Sequence, residues 1–490
     1  MPLNCAPSDL SPYQPSSALP WNHRRALHLY RRTAFGASRP TIENALLQNP
    51  KELVATIVDQ AKNLPPATPP EWANWAINNY SANEEERNAQ IVLQIVSWVN
   101  TWMKDFRTNG LRDRMALFWH NHFVTKLDKY ICPSWMYQYH HLLQKHALGN
   151  FKDFLREMGT NPAMLVFLDG VQNTRFQPNE NFARELFELF TLGVDNGYTQ
   201  ADIVNAARAL SGWNGITLAT LCGEIGFVPS FWDNGQKTIF GKTGNFGYNE
   251  VIDLIFTERP EQVSKYICRK LYAHFVNPDV DSQVIDKLAM IFRQNNFEIA
   301  PVMKAIFSSV HFFDDATVGT IIPGHIEHFL TFLNEMNLPN NEVLNQYIVY
   351  GSDEYDQRLF NPTDVSGWKG NRAWITSATL PFRFEGIFNI MLYYFQVQGN
   401  EIPQLRDFAL SLVDPTTSDP AVVVNAICDY ILPNGFQTQK DYDEALKVFK
   451  AEVPENYFAS GQWNLYWEYA PLQLILLFQF LAAQPEFQLK

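Results

Sequence analysis

Apolar residues recur at helical spacing along most of this 490-residue chain, and this pattern constrains the fold more than any other feature of the sequence. Long stretches of this kind run over residues 83–106, 111–122, 133–148 and 151–158, and further stretches occupy residues 248–308. No internal period indicates a solenoid. The pattern therefore predicts a mainly α protein, a globular bundle of many helices.

Two segments depart from helical spacing. Residues 214–247 are rich in glycine, and short β-like runs flank Asp233-Asn234-Gly235, a sequence typical of hairpin turns. We therefore predict a small β-hairpin insertion near residues 214–247. Residues 359–378 combine tryptophan with glycine and lack helical spacing, so we expect a loop there.

The same signals divide the chain into parts. Residues 1–20 are rich in proline and serine, which predicts an irregular N-terminal arm. Residues 21–385 are expected to form the main helical domain, which contains both departures. Residues 386–490 are expected to form a C-terminal helical segment packed on that domain.

The most apolar run, residues 470–483, decides whether a membrane span is expected. The run is shorter than the ~20 residues that cross a bilayer, and it contains Gln473 and Gln479. We therefore predict a buried helix and no membrane span. The N-terminal residues lack a basic start followed by an apolar run, so no signal peptide is predicted and a soluble, cytoplasmic protein is expected.

The composition excludes some function classes. Hydrophobic residues make up 46% of the chain, which is enough for a large core. The net charge is −13 and the basic residues are scattered, so no nucleic acid partner is expected. The five cysteines are odd in number, widely spaced and without a CxxC pair, which predicts reduced thiols. No pattern indicates a cofactor, a metal or an oligomeric state.

One predicted helix, NENFARELFELFTLG, places charges beside apolar residues. On a helical wheel Glu180, Asn181, Arg184, Glu185 and Glu188 share one face. The i, i+4 spacing of Glu180, Arg184 and Glu188 predicts that the guanidinium bridges two carboxylates. One interpretation is an exposed ion-pair ladder. The other is a pocket, in which Arg184 holds one carboxylate and another acts as an acid or base.

A second predicted helix, LRDRMALFWHNHF, ends in two histidines. On a continuing α-helix His120 and His122 point about 200° apart and cannot bind one metal ion; only an extended local backbone would place them on one side, as a His-x-His metal site requires. Hydrogen-bonded structural roles are therefore favoured over a metal site. Asp128 and Glu185 are the candidates to orient one of the imidazoles.

Tryptophans beside glycines and cations suit a stacking surface for flat ligands, and they suit loop anchoring equally well. The candidates are Trp213, Lys237, Trp368 and Trp374. The chain has no phosphate-binding glycine loop, dinucleotide fingerprint, nucleophile elbow or H-E-x-x-H motif.

Several longer motifs occur together in one order: LYRRTAFGAS, RMALFWHNHFVT, NENFARELFELFTLG, ICRKLYAHFV and LFNPTDVSGWKGNRAWIT. With these motifs the chain resembles the bacterial family known as domain of unknown function 1800, over roughly residues 25–385. The resemblance implies a mainly helical fold and no established reaction. It also implies a partner, because genes of this family often neighbour those of a family similar to sulfatases and alkaline phosphatases.

The resemblance bears on both candidate sites. The family motif includes the charged face of NENFARELFELFTLG, which favours the pocket interpretation over a merely solvated face. Phe190 and Trp232 stand where many members have histidine, which argues against a histidine-built metal site.

Two functions are therefore considered. In the first, a hydrolase or lyase, Glu180 or Glu185 acts as the acid or base and Arg184 holds a charge. In the same hypothesis, His120 or His122 moves a proton. The residues expected to bind the substrate are Asn181, Trp213, Lys237, Trp368, Trp374 and Arg383. The second is a non-catalytic binding or assembly partner of the sulfatase-like protein.

Overall fold

A computed structural model describes residues 8–215, 222–451 and 453–490. Within these residues the chain forms 24 α-helices, which confirms the prediction of a mainly α fold. The first twelve are α1 His23–Thr33, α2 Arg39–Leu46, α3 Pro50–Asn63, α4 Glu84–Thr108, α5 Leu111–His122, α6 Leu127–Tyr130, α7 Pro133–Lys145, α8 Phe151–Met158, α9 Pro162–Phe167, α10 Asn181–Glu185, α11 Gln200–Ala209 and α12 Tyr248–Glu258.

The second twelve are α13 Pro260–Phe275, α14 Ser282–Gln294, α15 Ile299–Phe307, α16 Val310–Phe313, α17 His325–Glu335, α18 Glu342–Glu354, α19 Thr379–Val397, α20 Pro403–Leu412, α21 Pro420–Ile431, α22 Gln439–Lys450, α23 Glu455–Ala459 and α24 Ala470–Ala482. A π-helix, Leu186–Thr191, continues α10 without a break.

Asparagine begins many of these helices. In each case the side-chain oxygen accepts a hydrogen bond from a backbone N–H of the first turn, which has no partner within the helix. The asparagines that do this are Asn22, Asn49, Asn83, Asn150, Asn161 and Asn341. Thr199 and Asp202 begin α11 with a reciprocal capping box, as their spacing predicts.

The β insertion consists of two short antiparallel pairs. Strand β1 Trp213–Asn214 pairs with β2 Gly226–Phe227, and β3 Lys237–Ile239 pairs with β4 Lys242–Gly244. These strands confirm the prediction of a small hairpin insertion in this region.

The predicted hairpin turn at Asp233-Asn234-Gly235 is wrong. The tight turn lies between β3 and β4, at Phe240 and Gly241, which have φ angles of 50° and 79°. Asp233 lies before β3, where its carboxylate accepts from Arg208 Nε at 2.7 Å and from Gly235 N–H at 2.8 Å. This tertiary ion pair is not visible in the local sequence.

The C-terminal helix α24 is the most apolar helix of the core. It packs against α19 and α22. Gln473 is fully buried within it, and both ends of its amide are used: Oε1 accepts from Trp463 Nε1 and Nε2 donates to Phe449 O, both at 2.8 Å. Across the residues that the structure describes, no helix combines the length and hydropathy needed to cross a bilayer.

The prediction that the cysteines are reduced thiols is wrong for two of them. Cys132 and Cys222 form a disulfide across 90 residues of sequence, and it ties the N-terminus of α7 to the β insertion. Cys268 and Cys428 are free and buried, whereas Cys5 lies outside the described residues. The pairing joins segments that only the tertiary fold brings together, so spacing along the chain carries no signal for it.

The disulfide gives a first prediction. Cys222→Ser should lower the free energy of unfolding by about 2–4 kcal/mol, because the bond closes a long loop in the unfolded chain. Chemical denaturation without reductant measures the loss, and wild-type protein unfolded with reductant should match the variant. In denatured, unreduced protein, alkylation should label Cys268 and Cys428 but neither Cys132 nor Cys222; label on Cys132 would exclude the bond.

A largely buried cluster of polar side chains joins α4, α5 and α7. Gln144 Nε2 donates to Asp105 at 3.3 Å and to Asp113 at 2.9 Å, and Arg112 Nε donates to Asp113 at 2.7 Å. Burial, followed by the charge of Asp113, raises the pKa of Asp105 to about 6. The folded protein therefore keeps Asp105 protonated up to about pH 6, where the unfolded chain has already lost this proton.

This raised pKa gives a second prediction. Between the ordinary pKa of an aspartate and about 6 the folded state holds a proton that the unfolded chain has lost, so stability falls as pH rises through that window. Asp105→Asn should have a higher Tm than wild type at about pH 7.5, and the gap should close near pH 4. Thermal unfolding across pH measures this; an Asn variant less stable than wild type at neutral pH would contradict it.

Candidate functional site

The last three residues of α5 hydrogen-bond to two other segments of the chain, namely residues 359–378, here called the tryptophan loop, and the end of the π-helix. His120 Nε2 accepts from the Phe360 N–H at 2.8 Å. Asn121 Oδ1 accepts from the Trp368 N–H at 2.6 Å, and its Nδ2 donates to Trp368 O at 3.3 Å. His122 Nε2 donates to Phe190 O at 3.1 Å. The three residues His120, Asn121 and His122 thus each bind the backbone of another segment, and we call these hydrogen bonds backbone clips.

Gly367 is required by one of these clips. Its φ angle is 82°, and a Cβ there would lie 2.3 Å from Asn121 Oδ1 and 2.5 Å from Asn121 O. Both values are below any real contact distance, and the opposing oxygen atoms cannot withdraw without breaking the bond to Trp368. A glycine before Trp368 is what lets the tryptophan loop approach the end of α5.

The π-helix changes the geometry of the charged segment. Residues 186–191 bond i to i+5, so each of these residues turns by less than the α-helical angle used for the wheel, although Glu188 still reaches Arg184. The carbonyls at the end of the π-helix find tertiary donors: Leu189 O accepts from Tyr266 OH at 2.8 Å, and Phe190 O accepts from His122. The segment thus meets the α5 and α13 helices through its backbone.

The charged side chains of this segment form a surface network. Arg184 contacts Glu180 at 3.0 Å and Glu188 at 3.2 Å, which is the bridge that their spacing predicts. Gln200 joins it by donating to Glu180 at 2.8 Å. The Arg184 and Glu180 side chains are 37% and 39% exposed, so solvent screens the pair. Asn181 lies beside them and donates to Asp169 at 3.3 Å.

Glu185 differs from its neighbours. It has no hydrogen-bond or ion-pair partner among the described residues. Burial, then the charge of Glu188, raises its pKa, and Arg184 opposes the shift. The Glu185 carboxylate also adds to the effect of burial in raising the pKa of Tyr266 to about 12, which indicates that the two side chains are close. Glu185 is therefore the unpaired carboxylate of the segment.

These environments give a third prediction. Glu185→Gln should leave the Tm unchanged or slightly raised at neutral pH, because it removes a half-buried charge without a partner. Arg184→Gln, the matched control, should cost less than about 1 kcal/mol, since its ion pairs are partly exposed. Thermal unfolding of both variants measures the effects. A clear loss of stability in Glu185→Gln would instead identify a buried structural partner.

A cleft of about 650 Å³ opens beside the end of α5. It lies between α5, α13, the N-terminus of α17 and the tryptophan loop. Its polar lining residues are Asn121, His122, Lys270, His274, Asp279, Glu327, Gln357, Ser366, Trp368, Lys369, Asn371, Arg372, Trp374 and Lys490. Three residues predicted from sequence, His122, Trp368 and Trp374, therefore meet here.

Lys270 and His274 present one face of α13 to the cleft. Burial lowers the pKa of Lys270 to about 8. Lys270 Nζ lies 5.4 Å from the centre of the Tyr266 ring and has no anionic partner in the part of the chain that the structure describes. Burial, then the Lys270 charge, holds the pKa of His122 well below its usual range, so His122 is neutral. His274 is likewise neutral, through burial and the charge of Arg114.

The floor of the cleft holds a buried carboxylate between two cations. Glu327 Oε1 contacts both Arg114 Nη1 and Lys490 Nζ. Burial opposes ionisation of Glu327, but the charges of Arg114 and Lys490 outweigh it and lower the Glu327 pKa. The same burial, together with the Arg114 charge, lowers the pKa of Lys490.

The other predicted site residues lie away from the cleft. His120 is buried behind it, with its ring stacked 5.3 Å from that of Trp368. Arg383 is fully buried and donates to Gln488 at 2.6 Å and to Pro323 O at 2.9 Å. Glu180, Asn181, Arg184 and Glu185 lie outside its lining. Neither Asp128 nor Glu185, the carboxylates expected to orient an imidazole, hydrogen-bonds to His120 or His122.

Trp213 and Lys237 belong to the β insertion. The Trp213 ring packs 5.6 Å from that of Phe227. Lys237 Nζ is buried and donates to the backbone oxygens of Asp233 and Gly235. Its donors are occupied within the protein, which fits loop anchoring. Asp128, proposed to orient a histidine, instead accepts from Asn361 at 2.7 Å.

Sequence reasoning missed Lys270, His274, Glu327 and Lys490. A signal existed for the first two: they stand at i, i+4 within ICRKLYAHFV, so they share one face of a helix. Glu327 and Lys490 are distant in sequence, and no local pattern pairs them. Among the described residues, no group of three or more His, Cys, Asp or Glu is arranged to hold a metal ion.

Comparison with known families gives one match. Residues 28–489 match the model of a family described as "Protein of unknown function (DUF1800)", which covers nearly the whole chain. The resemblance inferred from the motifs is confirmed and extends to the C-terminal helices. No curated protein and no solved structure matches the chain.

Proposed function

The chain belongs to the DUF1800 family, and we propose that its cleft is the active site of a hydrolase or lyase acting on a small anionic molecule. The observation that carries the proposal is Lys270. It lines a cleft large enough for a small ligand, it lacks an anionic partner among the described residues, and burial lowers its pKa to about 8.

Lys270 is the proposed general base. With a pKa about 8, roughly one amine in ten is neutral at pH 7, so both protonation states are accessible near neutrality. His122 donates through Nε2 to Phe190 O, which leaves Nδ1 with its lone pair and without a partner among the described residues. This nitrogen is buried, and His122 is proposed to accept a hydrogen bond there from a substrate group or a water molecule that enters the cleft.

The proposed acid–base residue is therefore Lys270 of α13, in place of Glu180 or Glu185 of the segment at residues 179–193. Glu180 and Glu188 are occupied by Arg184 and do not line the cleft. Glu185 is proposed to act indirectly. Its charge helps to raise the pKa of Tyr266, and the Tyr266 ring lies against Lys270. Trp368 and Trp374, with ring centres 6.3 Å apart, are proposed to cover the bound molecule.

A fourth prediction tests the state of Lys270. Competitive acetylation from about pH 6 to pH 11, read by peptide mass spectrometry, should give a midpoint near 8 for Lys270. Lys265 on the same helix is the matched control, because hydrogen bonds to Glu261 and Asp286 raise its pKa. A Lys270 midpoint as high as that of Lys265 would remove the proposed base.

Turnover tests the reaction class. Wild type, Lys270→Met and Lys265→Met are compared on panels of carboxylate, phosphate and sulfate esters and of hydroxy acids. Activity should rise with pH through about 8, as the amine loses its proton, and should be lost only in Lys270→Met. Turnover that survives this substitution would reject the assignment.

The alternative, an assembly partner of a sulfatase-like or alkaline-phosphatase-like protein, predicts a different result. Such a protein would turn over no member of the panels, and Lys270→Met would leave its association unchanged. Co-purification with the sulfatase-like neighbour, unaffected by this substitution, would favour the assembly role.

A further inference from the structure

At the floor of the cleft two basic side chains meet one carboxylate. Glu327 is the carboxylate that Arg114 and Lys490 share, and they meet at the same oxygen. Arg114 is 1% exposed, and among the described residues its Nε and Nη2 have no hydrogen-bond partner. A buried guanidinium with free donors is costly unless an anion reaches it or its neighbours.

The walls of the cleft also carry basic side chains. Lys270, Lys369 and Arg372 also line the cleft, whereas Asp279 is the other acidic lining residue and is exposed. This concentration of cations is not a property of the composition, because the chain carries a formal net charge of −13. A concave, positively charged site in an acidic protein attracts and retains anions.

Two residues of the cleft lining, Trp368 and Gly324 at the start of α17, bring neutral N–H donors to this region. Trp368 is 8% exposed, and its Nε1–H has no acceptor among the described residues. Helix α17 begins at the cleft: its N-cap, Gly324, has no side chain to cap the helix, and Gln357 accepts from only one of the first N–H groups, that of Ile326 at 2.9 Å. The positive end of the helix dipole adds to the field of the cations.

We propose that the floor of the cleft, between Lys490, Trp368 and the N-terminus of α17, is a subsite for an oxyanion carried by the substrate, that is, a carboxylate, phosphate or sulfate group. The inference rests on the proposed function and adds the orientation of the substrate. The anionic end lies at the floor, with Arg114 behind Lys490, and the reacting bond lies toward Lys270. Lys369 and Arg372 at the rim attract the ligand before it enters.

Inorganic sulfate, phosphate and acetate are the probes, titrated into the full chain by calorimetry at constant ionic strength. At least one should bind with a stoichiometry of one. Lys490→Gln should weaken this binding by at least about tenfold, because it removes a charge-assisted hydrogen bond. Lys265→Gln, on the solvent side of α13, should leave it unchanged. An equal loss in both variants would indicate an unspecific effect of net charge and overturn the proposal.

Two further variants keep the test decisive if Lys490→Gln does not fold. Trp368→Phe retains the ring against His120 and removes only the Nε1–H, so it should weaken anion binding several-fold without a large change in Tm. Glu327→Gln removes the competing carboxylate, so its affinity for the probe should increase. Binding that is indifferent to both substitutions would overturn the subsite.

The subsite and the active site fail in distinguishable ways. Lys270→Met abolishes turnover in the proposed function, yet it should retain most of the affinity for the probe anion. No anion binding together with a Lys270 midpoint near 8 would reject the subsite and leave the proposed base intact. Anion binding with an ordinary Lys270 midpoint would reject the base and leave the subsite.

Discussion

The hydrogen bonds made by His120, Asn121 and His122 are the constraint on which the rest of the site depends. Each side chain reaches the backbone of a different residue, Phe360, Trp368 or Phe190. Because backbone groups buried without partners are costly, these bonds fix where the tryptophan loop and the π-helix end relative to α5. Segments hundreds of residues apart are thereby brought to one place.

This arrangement explains why histidines end an aromatic helix without forming a metal site. His120 uses a ring nitrogen as an acceptor and His122 uses one as a donor, and burial lowers the pKa of both imidazoles, so both are neutral. Their opposite directions on α5, which rule out one shared ion, are what allow them to hold two segments on two sides. The same geometry leaves Nδ1 of His122 buried and without a partner among the described residues.

The helices were predictable from sequence because burial of apolar faces leaves a period that a reader can count. The hairpin turn was misplaced because Asp233 pairs with Arg208 of α11, and apolar spacing did not predict the π-helix. The bridge at Arg184 was predictable, since its partners lie one turn away. That Arg184 lies outside the cleft was not predictable, because local spacing does not show which side of a helix other parts of the fold cover.

The cleft itself was the least predictable part. Only Lys270 and His274 share a local pattern, whereas Glu327 and Lys490 meet through the tertiary fold. Asn121 binds the backbone of Trp368, and every residue has such backbone atoms. The sequence therefore shows no sign of this contact apart from the glycine at position 367. The cleft residues therefore take their neighbours from distant segments of the chain.

The bond between Cys132 and Cys222 has a consequence for how the protein is prepared. In the reducing cytosol of an expression host the two sulfurs would remain thiols, whereas secretion into an oxidising space would let them join. A batch made by the first route would carry a loosened link between α7 and the β insertion. Measurements on the two kinds of batch would describe covalently different molecules, so the oxidation state should be established before any assay is compared.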